Sequence, residues 1–310
     1  MSKIVQLAPM LGLVDNSFMN ALGQIGGFDE MFAPYILADS RSLAHARFLR
    51  KRFASVSDSI TLVPQLLSND AVGFLHYANT FYDLGYTKVN WNMGCPQHFV
   101  VKRGRGAGML IDIEATQRLL ETILPKLKPQ LSVKIRLGYW ADDEFQALIE
   151  MFNNFEFHEL IVHARNAMQQ YDGEPNKELF CAVASQSRNK VVYNGDIVQA
   201  VDVGDVQVPN LKGYMVGRGA LANPFIGLQI KGVEVTNKTK QFMAFCDVIN
   251  ESCFALKSIG GINRLKELWK FMSPAFELGD EVFAKIKPID NAQDFRRVVK
   301  YIFEHYQLAI

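Results

Sequence analysis

Eight short segments rich in β-branched and aromatic residues recur through the first 217 residues, and longer segments with helical periodicity separate them. Alternating strands and helices predict a parallel sheet, and the nearly continuous apolar character of each segment indicates strands that are covered on both faces. Eight such units match a closed (β/α)8 TIM barrel in the α/β class, and a doubly wound open sheet is the alternative. The predicted strands are 4–8, 31–37, 60–66, 86–91, 131–137, 159–163, 190–194 and 213–217, and 113–128 is one of the predicted helices.

The chain changes character after about residue 235, where apolar residues begin to recur every three or four positions. Phe242, Phe245 and Ile249 show this spacing, which is typical of an amphipathic helix. The polar segment 233–240 has the composition of a linker. We therefore predict a barrel domain over 1–235 and a small all-helical C-terminal domain over 236–310.

The composition is that of a folded globular protein, because 49% of the 310 residues are hydrophobic and 21% are charged. The 33 Lys and Arg against 32 Asp and Glu give a net charge of +1, which leaves only local patches for binding a polyanion. Four cysteines without zinc-type spacing indicate reduced thiols and no metal site. Since no segment has the ~20 apolar residues of a membrane helix and no signal peptide is recognisable, we expect a cytoplasmic protein without membrane attachment.

The carboxyl ends of the strands hold the candidates for chemistry, because the active site of a (β/α)8 barrel lies there. Cys95 follows the fourth strand in a Gly-Cys-Pro turn, where a thiol can act as nucleophile or proton donor, or can pack as a small hydrophobic residue. Lys134 interrupts an apolar strand, so it faces either a ligand or a salt-bridge partner inside the barrel. His163 ends the sixth strand, where it either binds a ligand or packs in the core.

The last two predicted strands end in the glycine-rich turns NGD at 194–196 and GRG at 217–219. Loops after strands seven and eight form the usual phosphate site of barrel enzymes, because free backbone N–H groups point outward from a helix N-terminus. Arg218 adds a charged donor to these N–H groups. The two turns therefore predict a phosphate site.

Two clusters of basic residues should lie near the mouth of the barrel. The segment after strand two and the loop after Cys95 carry them, and the second has no acidic neighbour. This pattern favours a polyanion, and a solvated helix face is the alternative. The clusters are Arg41, Arg47, Arg50, Lys51 and Arg52, and Lys102, Arg103 and Arg105.

Together these motifs resemble the tRNA-dihydrouridine synthase family. The matching segments follow the family's order between residues 4 and 225, and the helical domain is similar in type to the family's RNA-recognition domain. Two positions depart from the family pattern, namely Asn90, where an acidic residue is usual, and Leu11, where a small or acidic one is common. The matching motifs are LAPM (7–10), Gln65, NMGCP (92–96), VKIRLG (133–138), VHAR (162–165), NGDI (194–197) and VGRGALANPF (216–225).

The resemblance implies an FMN-dependent oxidoreductase that reduces the C5=C6 bond of a uridine in the tRNA D-loop to 5,6-dihydrouridine, with NADPH reducing the flavin. Hydride would pass from flavin N5 to C6 of uracil while Cys95 protonates C5 from the opposite face, and Asn92 and Arg136 would bind the uracil. The residues implied for the flavin ring and ribityl chain are Pro9, Met10, Leu11, Gln65, Lys134 and His163, and those for its phosphate are Asn194, Gly195, Asp196, Gly217 and Arg218.

A tRNA substrate requires a basic platform, because the target base must be drawn out of its stack at a cost of a few kcal/mol. Lys102 and Arg105 are expected to contact the tRNA beside the barrel mouth. The sequence points to no obligate protein partner. The helical domain contributes further candidates, which are Arg264, Lys266, Lys270, Arg296, Arg297 and Lys300.

Two other functions fit parts of this pattern. Dihydroorotate and dihydropyrimidine dehydrogenases are FMN barrels that act on a free pyrimidine, but a small substrate needs neither the helical domain nor a basic mouth. The second alternative is an RNA-binding protein on a barrel scaffold without turnover. Bound flavin distinguishes an enzyme from that protein.

Overall fold

The computed structural model describes residues 3–256 and 259–310. Ten parallel strands form one sheet, and their positions follow the eight predicted segments closely. The strands are β1 (Ile4–Leu7), β2 (Glu30–Phe32), β3 (Ile36–Leu37), β4 (Leu62–Val63), β5 (Gln65–Leu67), β6 (Lys88–Asn92), β7 (Gln130–Arg136), β8 (Glu159–His163), β9 (Val191–Asn194) and β10 (Leu211–Val216).

The ten strands close into an eight-stranded barrel. β1 pairs with β10 on one side and with β2 on the other, while β2 pairs with β4 and β3 pairs with β5. Thus β2 and β3 are two parts of the second barrel strand, and β4 and β5 are two parts of the third. Pro34 and Pro64 lie at the breaks, where a residue without an N–H cannot continue the ladder. The pairing of the first strand with the last confirms the TIM barrel and excludes the open sheet.

Helices connect the barrel strands, and several begin at a side chain that caps the free N–H groups of the first turn. Asp15, Asp70, Asp112 and Asn176 accept such hydrogen bonds. The predicted helix 113–128 ends earlier than expected, at Ile123, because a short 3₁₀ turn that contains Pro125 follows it. The barrel helices are α1 (Asn16–Ile25), α2 (Ala46–Phe53), α3 (Ala71–Asp83), α4 (His98–Val101), α5 (Ile113–Ile123), α6 (Glu144–Phe152), α7 (Lys177–Ala184), α8 (Arg218–Ala222) and α9 (Ile226–Ile230).

A buried polar network fills the amino-terminal end of the barrel. Gln6 donates to Glu30 and Glu159 at 2.7 Å each, Lys88 pairs with Glu30, and Lys212 pairs with Glu159 at 2.5 Å. Lys212 lies at a register shift in β10, where a bulge can redirect a side chain into the barrel. An apolar layer packs together on its own, separately from the main core, and consists of Ala8, Phe32, Val63, Ile161, Val192 and Met215.

In the part of the C-terminal region that the structure describes, four α-helices and a short 3₁₀ helix (Ser273–Ala275) pack on the barrel, as the periodicity predicts. Phe245 meets Phe18 of α1 edge to face at 5.4 Å, and Arg264 forms an ion pair with Asp15, the N-cap of α1. Among the described helices, none is long and apolar enough to cross a membrane. The domain boundary at 235/236 stays a prediction. The helices are α10 (Lys238–Phe254), α11 (Ile259–Met272), α12 (Gly279–Ile286) and α13 (Ala292–His305).

Candidate active site

A cavity of about 750 Å³ opens at the carboxyl ends of the barrel strands. Most of the residues selected from the sequence lie in its wall, although they come from six different strand ends. The predicted residues that line it are Pro9, Met10, Leu11, Asn92, Cys95, Lys134, Arg136, His163, Asn194, Gly195, Asp196, Gly217 and Arg218. Gln65, Lys102 and Arg105 are not among the lining residues.

The turn that holds Cys95 is fixed by two close contacts. Asn92 Oδ1 accepts the backbone N–H groups of Gly94 and Cys95 at 3.1 and 2.9 Å, so its amide oxygen shapes the turn. Gly106 lies behind the turn, where a Cβ atom would come within 2.7 Å of the Cys95 carbonyl oxygen. Burial raises the pKa of the Cys95 thiol above its usual value of 9.0. Cys95 therefore carries its proton at neutral pH.

Two cations from β7 face the cavity beside Cys95. Lys134 Nζ donates to Asn194 Oδ1 at 2.9 Å, and removal of its ammonium from water, assisted by Arg136, lowers its pKa to about 7. Arg136 donates to the carbonyl oxygens of Gly94 and Asn166, both at 2.9 Å, and burial lowers its pKa to about 10. Arg136 therefore gives this wall of the cavity a positive charge at neutral pH, whereas Lys134 is about half protonated there.

The adjoining part of the wall follows β9 and is built on Asp196, which has an unusual left-handed backbone conformation with φ 38°. Its carboxylate accepts from Arg165 and from Arg218, and these hydrogen bonds and charges hold its pKa below 3.8 despite partial burial. The neighbouring His163 is buried among cations. Its burial is the main cause that lowers its pKa well below 6.5, and the positive charge of Arg136 is the next. His163 is therefore uncharged at neutral pH.

Gln65 and Arg105 lie in environments that differ from the expectations. Gln65 is buried inside the barrel, where it donates to Asn90 and accepts from Asn92 at 2.7 and 2.9 Å. Arg105 is 5% exposed and donates to Asp39 at 2.7 Å. The expected contact between Arg105 and tRNA is corrected accordingly, because its guanidinium supports the fold from within. The packing with Asp39, 66 residues earlier in the chain, removes it from the surface.

The basic cluster after strand two is divided between the two ends of the barrel. Arg41 pairs with Asp39 just after β3, on the side of the mouth. Arg50 instead lines a second cavity of about 500 Å³ with Thr61 and Thr87, which directly precede strands and so mark the opposite end. The expectation that the whole cluster lies at the mouth was therefore wrong for Arg50. Lys102 is exposed.

Several aromatic residues that the sequence did not single out also line the cavity. Tyr171 lies in the loop after β8, and its ring centroid is 5.6 Å from the guanidinium of Arg136 and 4.7 Å from that of Arg218. Phe271 reaches the cavity from α11 in the C-terminal region. Position after a strand could have indicated Tyr171, but Phe271 carries no local signal. Tyr35 and Phe99 complete this aromatic set.

Comparisons with known proteins match one family over nearly the whole chain. The family model described as "Dihydrouridine synthase (Dus)" matches residues 6–308. The "tRNA-dihydrouridine(16) synthase" of Neisseria meningitidis serogroup A is 27% identical over 96% of this chain and 94% of its own length, and the protein of that name in Pseudomonas putida is 28% identical over 73% and 72%.

A solved structure has the same fold despite low sequence identity. The old yellow enzyme of Trypanosoma cruzi aligns over 77% of this chain and 90% of its own, with a TM-score of 0.54 and 9% identity. Because only 9% of the aligned residues are identical, this likeness shows the fold alone, whereas the family model covers nearly the whole chain. The chain therefore belongs to the tRNA-dihydrouridine synthase family, a family of flavin-dependent oxidoreductases.

Proposed function

We propose that this protein reduces the C5=C6 bond of a uridine in the D-loop of tRNA, with FMN as bound cofactor and NADPH as reductant. The names of the Neisseria and Pseudomonas relatives favour position 16 as the target. The proposal rests above all on Cys95, a protonated thiol in the wall of a cavity that also presents Lys134, Arg136 and Arg218. A pocket with an acid at one place and cations around it suits the reduction of a polar ring beside an anionic cofactor.

The residues of the cavity fit FMN in size and charge. The volume of the cavity, about 750 Å³, lies within the range of roughly 300–1,000 Å³ that is typical of cofactor sites. Among the lining residues that the structure describes, Asp196 is the one carboxylate, and it is already paired with two arginines. Met10 and Leu11 would contact the ring, Lys134 would donate to it, and Gly217 and Arg218 would hold the phosphate. When bound and reduced by NADPH, the flavin would supply the hydride for C6 of the uracil.

The chain's own residues supply the proton and the orientation of the substrate. Cys95 Sγ would donate its proton to C5 of the uracil, and its raised pKa keeps that proton in place before reaction. Arg136, held by two backbone carbonyls, would direct its remaining donors to the uracil oxygens. Asn92 would bind the uracil together with Arg136 through its amide group. It would also position Cys95, because its amide oxygen holds the turn that carries this residue.

The surface around the mouth would bind the tRNA. Lys102 and Arg103 are exposed beside the Cys95 turn, and Arg297 and Lys300 are exposed on α13. Phosphate contacts from such residues would position the RNA while the target base leaves its stack. A tRNA substrate and a chain without a described membrane helix favour a cytoplasmic location.

Site-by-site measurement of dihydrouridine in tRNA, from cells with and without the gene, tests this function. We expect dihydrouridine to be lost at position 16 and restored by the wild-type gene but not by Cys95→Ala. Purified protein with FMN and NADPH should then reduce unmodified tRNA. Reduction of free uracil instead of tRNA would identify a pyrimidine dehydrogenase, and tRNA binding without bound flavin would identify a non-catalytic RNA-binding protein.

A further inference from the structure

Arg165, two residues after the end of β8, is a buried charged residue to which the mechanism gives no role. Its side chain is 1% exposed, and it does not line the cavity. A guanidinium removed from water is costly unless every donor finds a partner.

All five N–H groups of Arg165 are occupied in the described structure. Nη1 and Nη2 donate to the two carboxylate oxygens of Asp196, the first at 2.9 Å. Nη2 also donates to the Gly173 carbonyl, and Nε donates to the Asp172 carbonyl at 3.3 Å. The remaining Nη1 hydrogen points to His163 Nε2 at 3.4 Å. Arg165 therefore has no donor left for a ligand, and it acts only through these partners.

Each partner of Arg165 belongs to the cavity wall or directly adjoins it. Asp196 also accepts a hydrogen bond from Arg218 at 2.7 Å, so its carboxylate links Arg165 to Arg218. The carbonyls of Asp172 and Gly173 directly follow Tyr171, whose ring lies 4.7 Å from the Arg218 guanidinium. One buried side chain thus connects the loops after β8 and β9 at the point where Tyr171 meets Arg218.

The loop that carries Tyr171 needs such a restraint. Residues 171–174 are exposed, and Gln170 and Gly173 have positive φ angles of 50° and 68° on either side of Tyr171. Positive φ is unfavourable for a residue such as Gln, so the loop must be held by contacts elsewhere. Two of these contacts are the Arg165 hydrogen bonds to loop carbonyls.

We propose that Arg165 is a positioning residue that holds Tyr171 and Arg218 in place at one end of the cavity, through the loop carbonyls and through Asp196. It also fixes the tautomer of His163, since Nε2 must accept from the guanidinium and Nδ1 must then carry the ring proton. This inference depends on the proposed function in one respect, namely that FMN is the ligand of the cavity.

Hydrogen exchange without any ligand tests the loop contact first. Arg165→Lys keeps the charge but loses the fork that bonds two carbonyls and a carboxylate at once. We expect backbone amides of 166–174 to exchange at least tenfold faster in this variant. Arg105→Lys is the matched control, because it replaces another buried arginine that is paired with an aspartate but has no contact with this loop. Equal protection of 166–174 in wild type and Arg165→Lys would overturn the inference.

FMN affinity then distinguishes positioning from general stability. Arg165→Lys should weaken FMN binding by about tenfold or more, while Arg105→Lys should leave it unchanged. Losses of this size are typical at metal sites when a residue that hydrogen-bonds a metal ligand is replaced. With Tyr171→Leu, the double variant should lose less affinity than the product of the two single losses, because both changes disturb the same contact. A loss equal to that product would refute an action through Tyr171.

A second variant covers the case in which Arg165→Lys fails to fold. Asp196→Asn leaves Arg165 in place, keeps the shape of its partner and removes the charge that ties Arg165 to Arg218. We expect a weaker FMN affinity and faster exchange in 166–174, and unchanged values for both would overturn the inference. A wild-type protein that binds no FMN would refute the proposed function, while the exchange measurements would still decide the role of Arg165.

Discussion

Gly219, the second residue of α8, lies against the loop that follows β9, and an alanine there should force the two apart. A Cβ atom at Gly219 would lie 2.0 Å from the Ile197 carbonyl oxygen and 3.1 Å from Val198 Cα. Both atoms belong to the backbone, so no side-chain rotation relieves the contact. Because Cβ atoms essentially never approach closer than 3.0 Å, α8 must move by about 1 Å relative to that loop.

This displacement has consequences for stability and for binding. Overpacking of this kind costs about 1–3 kcal/mol of unfolding free energy. Arg218 directly precedes Gly219, so the 2.7 Å contact between Arg218 and Asp196 would be stretched beyond hydrogen-bonding distance. Misplacement by 1 Å can cost on the order of 100-fold in function, so we expect Gly219→Ala to weaken FMN binding by roughly 10- to 100-fold.

Two measurements check this expectation. Quenching of flavin fluorescence on titration of the apoprotein gives the FMN affinity, and thermal unfolding gives the change in stability. Gly204→Ala is the control, because Gly204 is exposed and has helical backbone angles of φ −61° and ψ −36°. If Gly219→Ala bound FMN as wild type does and melted at the same temperature, the close approach of α8 to Ile197 would not matter to the site.

Three further outcomes are expected. Cys95→Ala should keep FMN and tRNA binding while single-turnover reduction slows by about 100-fold or more, and a near-normal rate would remove Cys95 from the chemistry. Lys102→Ala should weaken tRNA binding and flatten its dependence on salt, whereas an unchanged slope of log affinity against log salt would remove Lys102 from the interface. The pKa of His158 is about 4 in the folded chain, chiefly because it is buried, and about 6.5 when unfolded, so the unfolded state takes up the proton first. Stability should therefore be full above about pH 6.5 and fall as the pH drops towards 4, and His158→Gln should reduce that fall in urea titrations at pH 7 and pH 4.5.

The strands and much of the cavity wall could be predicted because their signals are local. An apolar run identifies a barrel strand, and Cys95 and Lys134 stand out because they break or follow such runs. Even the interruptions at Pro34 and Pro64 follow from a missing N–H and were visible in principle.

Long-range packing could not be predicted in the same way. Arg105 has the sequence context of a surface cation, and its long-range contacts with Asp39 and Asn69 make it a buried one. Phe271 reaches the cavity from a helix far along the chain, and its spacing is that of an ordinary core residue. Position after a strand could have indicated Tyr171, but its contacts with two guanidinium groups depend on the folded chain.

The seam between the helical region and the barrel limits how far the two can evolve independently. α11 packs on α8, which begins with Arg218, while Arg264 binds the cap of α1 and Ser252 hydrogen-bonds Ser17 at 2.6 Å. A chimera that takes its helical region from a relative must therefore bring matching residues on α1 and α8 with it. Exchange of tRNA preference between family members should succeed only where this seam is transplanted together with the helices.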